Sequence, residues 1–423
     1  CHVRDRGAEF PGLRVVLIAR QEGDWWQQLC EDDHDARQLV HQLGRIQSLD
    51  EFLPTEAERH ALFDRAVVAF RARGKGAEGV DALVPDLTQP HFAQPLFVLM
   101  GALAGLNGKR ISGAQELLDE TLEHEKAYWA KAVRDLGRIK ATAEDVRDAL
   151  DEAMPLLTLW GGAPTKKDAK ALVERLDIHG EVARYTLRVL RKLYSGHDGR
   201  WLSGLEPDIL GEHLVAKRLE RDRGLLGLAL DKATDEQRKH SLTVLTRLAQ
   251  RRPSERRWLI QALQGRLETL AVIATDIALE TGDPIGQILA KVVKQEADAD
   301  LAEVLMKRCP EKTTALLEVS AVSTLLVLAD KKRCWSEPNE KQLSELSRLA
   351  NNLSVDLSAL GRREEALDAT NEAVDIRRKL AKERPDAFLP DLASALNNLG
   401  IRLSNLGRRE EALDATNEAV DIR

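Results

Sequence analysis

From Leu53 to the end of the chain, apolar residues return every three or four positions, the spacing of helices that bury one face. The segment LPTEAERHALFDRAVVAFR (Leu53–Arg71) turns Ala61, Phe63, Ala66, Val67 and Phe70 inward. Further helices are predicted over His91–Leu106, Leu117–Trp129 and Ala143–Leu159, with a Gly-rich loop at Gly74–Gly79 and a Gly-Gly-Ala-Pro turn at Gly161–Pro164. Thr165 caps a helix through Leu176, and Glu181–Tyr194 sets Val182, Tyr185, Leu187, Leu190 and Leu193 at helical spacing. His197-Asp198-Gly199 reads as a hairpin turn ahead of Trp201-Leu202. Amphipathic helices without a fixed period continue from Asp222 to about Glu345, broken near Pro253, Gly282-Asp283-Pro284, Pro310 and Pro338. One segment differs. LRVVLIAR (Leu13–Arg20) carries an unbroken apolar run between charges, the pattern of a buried parallel strand, although a short helix shares it.

The end of the chain repeats itself. GRREEALDATNEAVDIR occurs at Gly361–Arg377 and again, letter for letter, at Gly407–Arg423, 46 residues on. The stretch before it recurs as NNLSVDLSALG (Asn351–Gly361) and NNLGIRLSNLG (Asn397–Gly407). Each unit is predicted as a helical hairpin. Its first helix aligns Leu396, Leu399 and Leu403, and Gly407 after Leu406 is a left-handed stop. Its second helix gathers Ala412, Thr416 and Ala419, whose small side chains permit close approach. Pro385 and Pro390 are expected to punctuate the link between units, with Pro390-Asp391 opening the next helix. Two hairpins do not close a solenoid, so further copies are expected after Arg423. With Cys rather than Met at its start, the chain reads as a window on a longer protein.

Composition agrees with helix. Leu and Ala dominate and aromatic residues make up only 4% of the chain. A net charge of −7 gives no broad pull toward nucleic acid or anionic lipid. The cysteines Cys1, Cys30, Cys309 and Cys334 are too scattered for a disulfide framework or a metal clip, which fits a reducing cytoplasm. No apolar run reaches the ~18 residues of a membrane span.

The repeat resembles the tetratricopeptide repeat (TPR) along Leu396, Leu399-Gly400, Leu403, Gly407, Ala412 and Ala419, and again along Ala350, Leu353-Ser354, Leu357, Gly361, Ala366 and Ala373. The 46-residue period exceeds the usual repeat of about 34, and the added residues resemble long-helix bacterial versions. The resemblance implies a concave face that binds a protein or peptide. Upstream, the order of strand, Trp-Trp helix, arm helix, Gln-Pro-Leu helix and acidic helix ending in Tyr-Trp resembles the signal-transduction ATPases with numerous domains (STAND class, NB-ARC-like). That resemblance implies ATP or ADP with Mg in the full-length parent, and a homo-oligomer. It also implies that Arg20, at the carboxyl end of the strand, senses the γ-phosphate, and that Pro95 packs near the adenine. Ala93 stands where the family usually has Gly. Three helices and a short hairpin describe a winged helix, where the family's Met-His-Asp-type motif falls near Glu206-Pro207-Asp208 and leaves Asp208 as the matching residue.

The fold expected is therefore mainly α: the remnant of an α/β P-loop NTPase with a helical lid (1–140), a winged helix (141–221), a helical linker (222–345) and TPR repeats (346–423). The phosphate loop is absent. Leu103 and Arg110 break GxxxxGK[ST] around Gly108-Lys109, and Gly161–Lys166 fails likewise, so no hydrolysis is expected of this chain. His124-Glu125 lacks the second His of a zinc motif, and Cys30 with His34 lacks further ligands, so no metal or catalytic residue is assigned. Three functions compete. The first is a nucleotide-switched regulator with a TPR partner face. The second is a pure interaction scaffold. The third is a DNA reader using Arg184, Arg188, Arg191 and Lys192, against which 141–221 carries 13 basic and 14 acidic residues.

Overall fold

The computed structural model describes residues 53, 55–75, 81–137, 142–196, 199–282, 284–310 and 313–422. The Leu13–Arg20 segment, including Arg20, lies outside the described residues, as do Cys30 and His34. Every regular element described is helical, and no strand forms among the described residues. Two compact units divide the described chain between Val244 and Leu245.

The first unit is built around one central helix. Its elements are α1 (Glu56–Ala72), α2 (Pro95–Leu106), α3 (Ala114–Arg134), α4 (Ala143–Leu159), α5 (Lys166–Arg175), α6 (Gly180–Leu193), α7 (Asp208–Arg221), α8 (Gly224–Leu230) and the start of α9 (Asp235–Arg251). Helix α4 packs against α3, α5, α6, α7 and α8, and its residues from Ala153 to Leu159 are all buried. Helix α1 opens at Glu56 rather than Leu53. The Thr55 hydroxyl accepts the Glu58 N–H while Glu58 reaches back to the Thr55 N–H, a reciprocal cap that fixes the start. Phe63, Ala66 and Val67 form its buried stripe; Ala61, expected inward, is exposed. An extended segment then crosses α2, and the Leu83 N–H donates to the Gly105 carbonyl at 3.1 Å.

No strands flank the turn expected at His197-Asp198-Gly199 among the described residues; a single antiparallel bridge instead joins Leu202 to Ala163, which exchange two backbone hydrogen bonds of 2.9 Å. The Trp201 N–H adds a bond to the Pro164 carbonyl, and the Ser203 N–H one to the Tyr194 carbonyl, each 2.9 Å. Pro164 has no N–H to extend the ladder, and Gly162, at φ +100°, turns the chain away on the other side. Of the turn itself, positions 197 and 198 lie outside the described residues.

The second unit begins with α10 (Arg256–Leu263), α11 (Leu267–Thr281), α12 (Ile285–Glu296), α13 (Ala299–Arg308) and α14 (Leu317–Cys334). Helix α12 packs on α10, α11 and α14, and α14 also packs on α13. The breaks fall where Gly and Pro stand: Pro253 opens a 3₁₀ turn and Gly282, at φ +72°, ends α11. Then come α15 (Glu340–Ala359), α16 (Arg363–Glu383), α17 (Pro385–Asn405) and α18 (Arg409–Asp421), each packed on the next. Ala366, Ala369 and Ala373 of α16 close on Leu346, Leu353 and Leu357 of α15. Leu367 and Val374, on the opposite side of α16, close on Leu392, Leu396 and Leu399 of α17.

The joint between the hairpins differs from expectation. Only Arg384 separates α16 from α17, which starts at Pro385 and continues through Pro390. Pro385 occupies the first helical position, where no intrahelical N–H is needed, and Pro390 forfeits a single bond one turn later. The residues beyond the usual period therefore lengthen the helices, 21 residues each in α16 and α17, instead of linking them.

Candidate functional site

The two hairpins present equivalent helices side by side, α15 from the first and α17 from the second. Leu346, Leu353 and Leu357 bury one side of α15 against α16. Its flank toward α17 is polar. The Asn398 amide donates to the Asn351 side-chain oxygen at 2.9 Å, and Arg402 donates to the hydroxyls of Ser354 at 3.1 Å and Ser358 at 2.9 Å. Half-burial pulls the Arg402 guanidinium below its ordinary value. On the opposite flank, the Ser320 hydroxyl donates to Asp356 at 2.7 Å, and burial still holds that carboxyl above the usual range.

Between these flanks one side of each helix stays open. On α15 it carries exposed Arg348, Asn352 and Val355; on α17 it carries exposed Ser394 and Ile401, with half-buried Asn398, bonded to Asn351, at its edge. Val355 and Ile401 occupy the same repeat position and are 48% and 46% exposed, so the repeat keeps an apolar residue in solvent twice. Asn352 and Asn398 are likewise equivalent, 46 residues apart. A carboxamide offers both donor and acceptor, the complement of a backbone amide.

Of the residues matched to a nucleotide site, Arg20 lies outside the described residues and the other two each open a helix. Pro95 is half-buried at the first position of α2, and exposed Asp208 stands at the first position of α7. The structure gathers a different cluster between α3 and α7. His213 is fully buried, with Nε2 2.7 Å from the Asp119 carboxylate and Nδ1 2.9 Å from the Gln115 amide. The amide donates to Nδ1, which leaves the proton on Nε2 to be donated to Asp119. Lys217 pairs with the same Asp119 oxygen at 2.5 Å. Burial pushes the Asp119 carboxyl up, but the hydrogen bonds from Lys217 and His213, with the Lys217 charge, outweigh it and hold it below the usual range. Sequence reasoning missed His213. The only available signal was a histidine on the apolar side of a helix, flanked by Leu210 and Leu214.

The described residues do not fit a phosphate cradle. Gly108 ends α2 while Lys109 is tied to Glu120 at 2.6 Å. A Cβ on Gly161 would meet the His240 ring at 2.5 Å, and one on Gly162 would meet the Leu202 carbonyl at 2.4 Å, so both serve packing. The basic side of α6 is largely engaged within its own unit: Arg184 with Glu181, Arg191 with the Trp201 carbonyl and Lys192 with Asp135. His124 is half-buried with its ring edge-on to Tyr128. Among the described residues no group of His, Cys, Asp and Glu is arranged to hold a metal ion, and no helix is long and apolar enough to cross a membrane.

No curated protein matches the chain. Residues 347–386 and 392–423 match the tetratricopeptide repeat family, and these two segments are the hairpins α15–α16 and α17–α18. Stacked repeats of this kind are protein-interaction scaffolds, because each adds a helix to an extended concave surface. The C-terminal part of the chain is therefore a pair of tetratricopeptide repeats.

Proposed function

We propose that the open face of α15 and α17 binds an extended segment of a protein partner. The observation that carries this reading is the repetition of Asn352 with Val355 as Asn398 with Ile401, carboxamide beside exposed apolar residue, at equivalent positions of adjacent repeats. The carboxamides would fix the peptide backbone and the apolar pair would seat alternate side chains, with Arg348 offering a charge contact to an acidic residue. The test is selection of binding peptides from a random display library on the whole chain, followed by affinity measurement. Replacing Asn352 and Asn398 together by Ala should weaken the selected peptides at least about fivefold, since each lost hydrogen bond is worth roughly 0.5–1.5 kcal/mol. Unchanged affinity contradicts the reading.

A second reading concerns the first unit. Pro95 opening α2, and α4, α5 and α6 closed by the Ala163–Leu202 bridge, support its being the lid and winged helix of a STAND-type regulator. In such a parent, ATP or ADP with Mg would bias a switch read out by the repeats and by self-association, with Arg20, Pro95 and Asp208 near the nucleotide. DNA binding is the less favoured use of the winged helix, because three of the four basic residues singled out on α6 are engaged. Reading the gene upstream of Cys1 decides the switch. A strand–GxxxxGK[ST]–helix within about 150 residues supports it, and an unrelated domain there overturns it.

A further inference from the structure

The two hairpins are near copies, yet the first helix of each carries the opposite charge at one position. Asp356 of α15 is replaced by Arg402 in α17, 46 residues on, inside the otherwise similar runs NNLSVDLSALG and NNLGIRLSNLG. Asp356 meets the Ser320 hydroxyl of α14. Arg402 reaches α15 instead, where its Nε donates to Ser354 at 3.1 Å and one terminal nitrogen donates to Ser358 at 2.9 Å. These hydroxyls accept hydrogen bonds but bring no charge. The other terminal nitrogen of Arg402 has no acceptor among the described residues. Burial alone acts on its ionisation, with no carboxylate to offset the loss of water. Other arginines of the same hairpins are compensated: Arg362, Arg378, Arg384 and Arg408 each meet a Glu. A half-buried cation without a counter-charge is costly to hold and gains most from an anion brought to it. Its place matters as well. Arg402 bridges the groove between α15 and α17, next to exposed Val355 and Ile401, and both walls of that groove and the α14 flank beyond are among the described residues.

We propose that Arg402 sets the specificity of this face: the extended segment bound there carries an Asp or Glu side chain that closes on the Arg402 guanidinium, beside an apolar residue seated on Val355 and Ile401. The inference rests on the reading of α15 and α17 as a peptide-binding face and adds the chemistry of the peptide. The guanidinium, already fixed by Ser354 and Ser358, loses little freedom when a carboxylate arrives, so the charge contact is preorganised.

The test uses two random peptide libraries selected on the whole chain, one of all residues and one lacking Asp and Glu. Both are displayed as internal fusions without a free carboxyl terminus, so that only side chains supply a carboxylate. Binders are retained when they cross-link from a photoreactive residue at Val355 or Ile401. Retained binders of the full library should share an acidic residue, and the acid-free library should yield none. Replacing that acid by its amide should weaken binding at least about fivefold to the parent chain but less than about twofold to Arg402→Met, while Arg402→Lys recovers part of the difference. Retained binders without an acid, or an acid whose loss costs the same in Arg402→Met, would overturn this proposal and leave the peptide face standing. No retained binder from either library would overturn both.

Discussion

Cys309 and Cys334 are the same thiol in two settings. Burial, with the Asp356 carboxyl nearby, pushes the Cys309 thiol up to about 12, whereas Cys334 is exposed at the end of α14. Only the thiolate attacks an alkylating agent, so Cys309 is nearly all thiol at pH 8. Iodoacetamide at pH 8, followed by peptide mapping, should modify Cys334 at least about tenfold faster than Cys309. Equal rates would contradict the burial of Cys309. The residue scale is where the sequence is least legible. Cys309 follows no pattern that marks it as protected. His213 finds Asp119 and Gln115 more than 90 residues away, and no periodicity links positions that only tertiary packing brings together.

At the scale of elements, legibility followed local chemistry. Helix α4 spans Ala143–Leu159 as its apolar stripe predicts, because Thr142 caps it with a bond to the Asp145 N–H. The hairpins were legible because the chain spells the same helix twice, with Gly361 and Gly407 at φ +75° and +78° ending the first helix of each. The misreadings have local causes as well. Pro385 and Pro390 look like a linker, yet a proline at the first helical position and another one turn later are compatible with a continuous helix. Close backbone approaches leave no trace in hydrophobic periodicity. Gly105 looks like one more small residue of α2, but a Cβ there would stand 2.3 Å from the Leu83 carbonyl oxygen. The obstruction is backbone on both sides, so relief requires the extended segment to move off the helix. Gly105→Ala should lower stability by about 1–3 kcal/mol in urea unfolding, despite the gain in helix propensity. A neutral or stabilising result would show that this segment is not held against α2.

The whole molecule consists of two compact units of different legibility. The repeat unit reveals its class through its own periodicity, and the family match falls on the same two hairpins. The first unit has no internal repeat, and its resemblance to a nucleotide-switched lid hangs on Arg20, Pro95 and Asp208, of which only the last two are described. Of the glycines closest to a phosphate-loop pattern, Gly108 ends α2 and Gly161 and Gly162 serve packing, which gives the resemblance a testable limit. Calorimetry of this chain with ATP and Mg should show no binding tighter than about 1 mM, since a helix N-terminus without a glycine loop and lysine holds triphosphate poorly. A micromolar constant would mean that this chain holds a nucleotide site of a different construction. The central claim is that the open face of α15 and α17 is the partner site, and photo-crosslinking tests it most directly. With a photoreactive residue at Val355, at Ile401 or, as a control, at Leu413, a display-selected peptide should cross-link from positions 355 and 401 and not from 413. Cross-linking from 413 alone, or from none of the three, would contradict it.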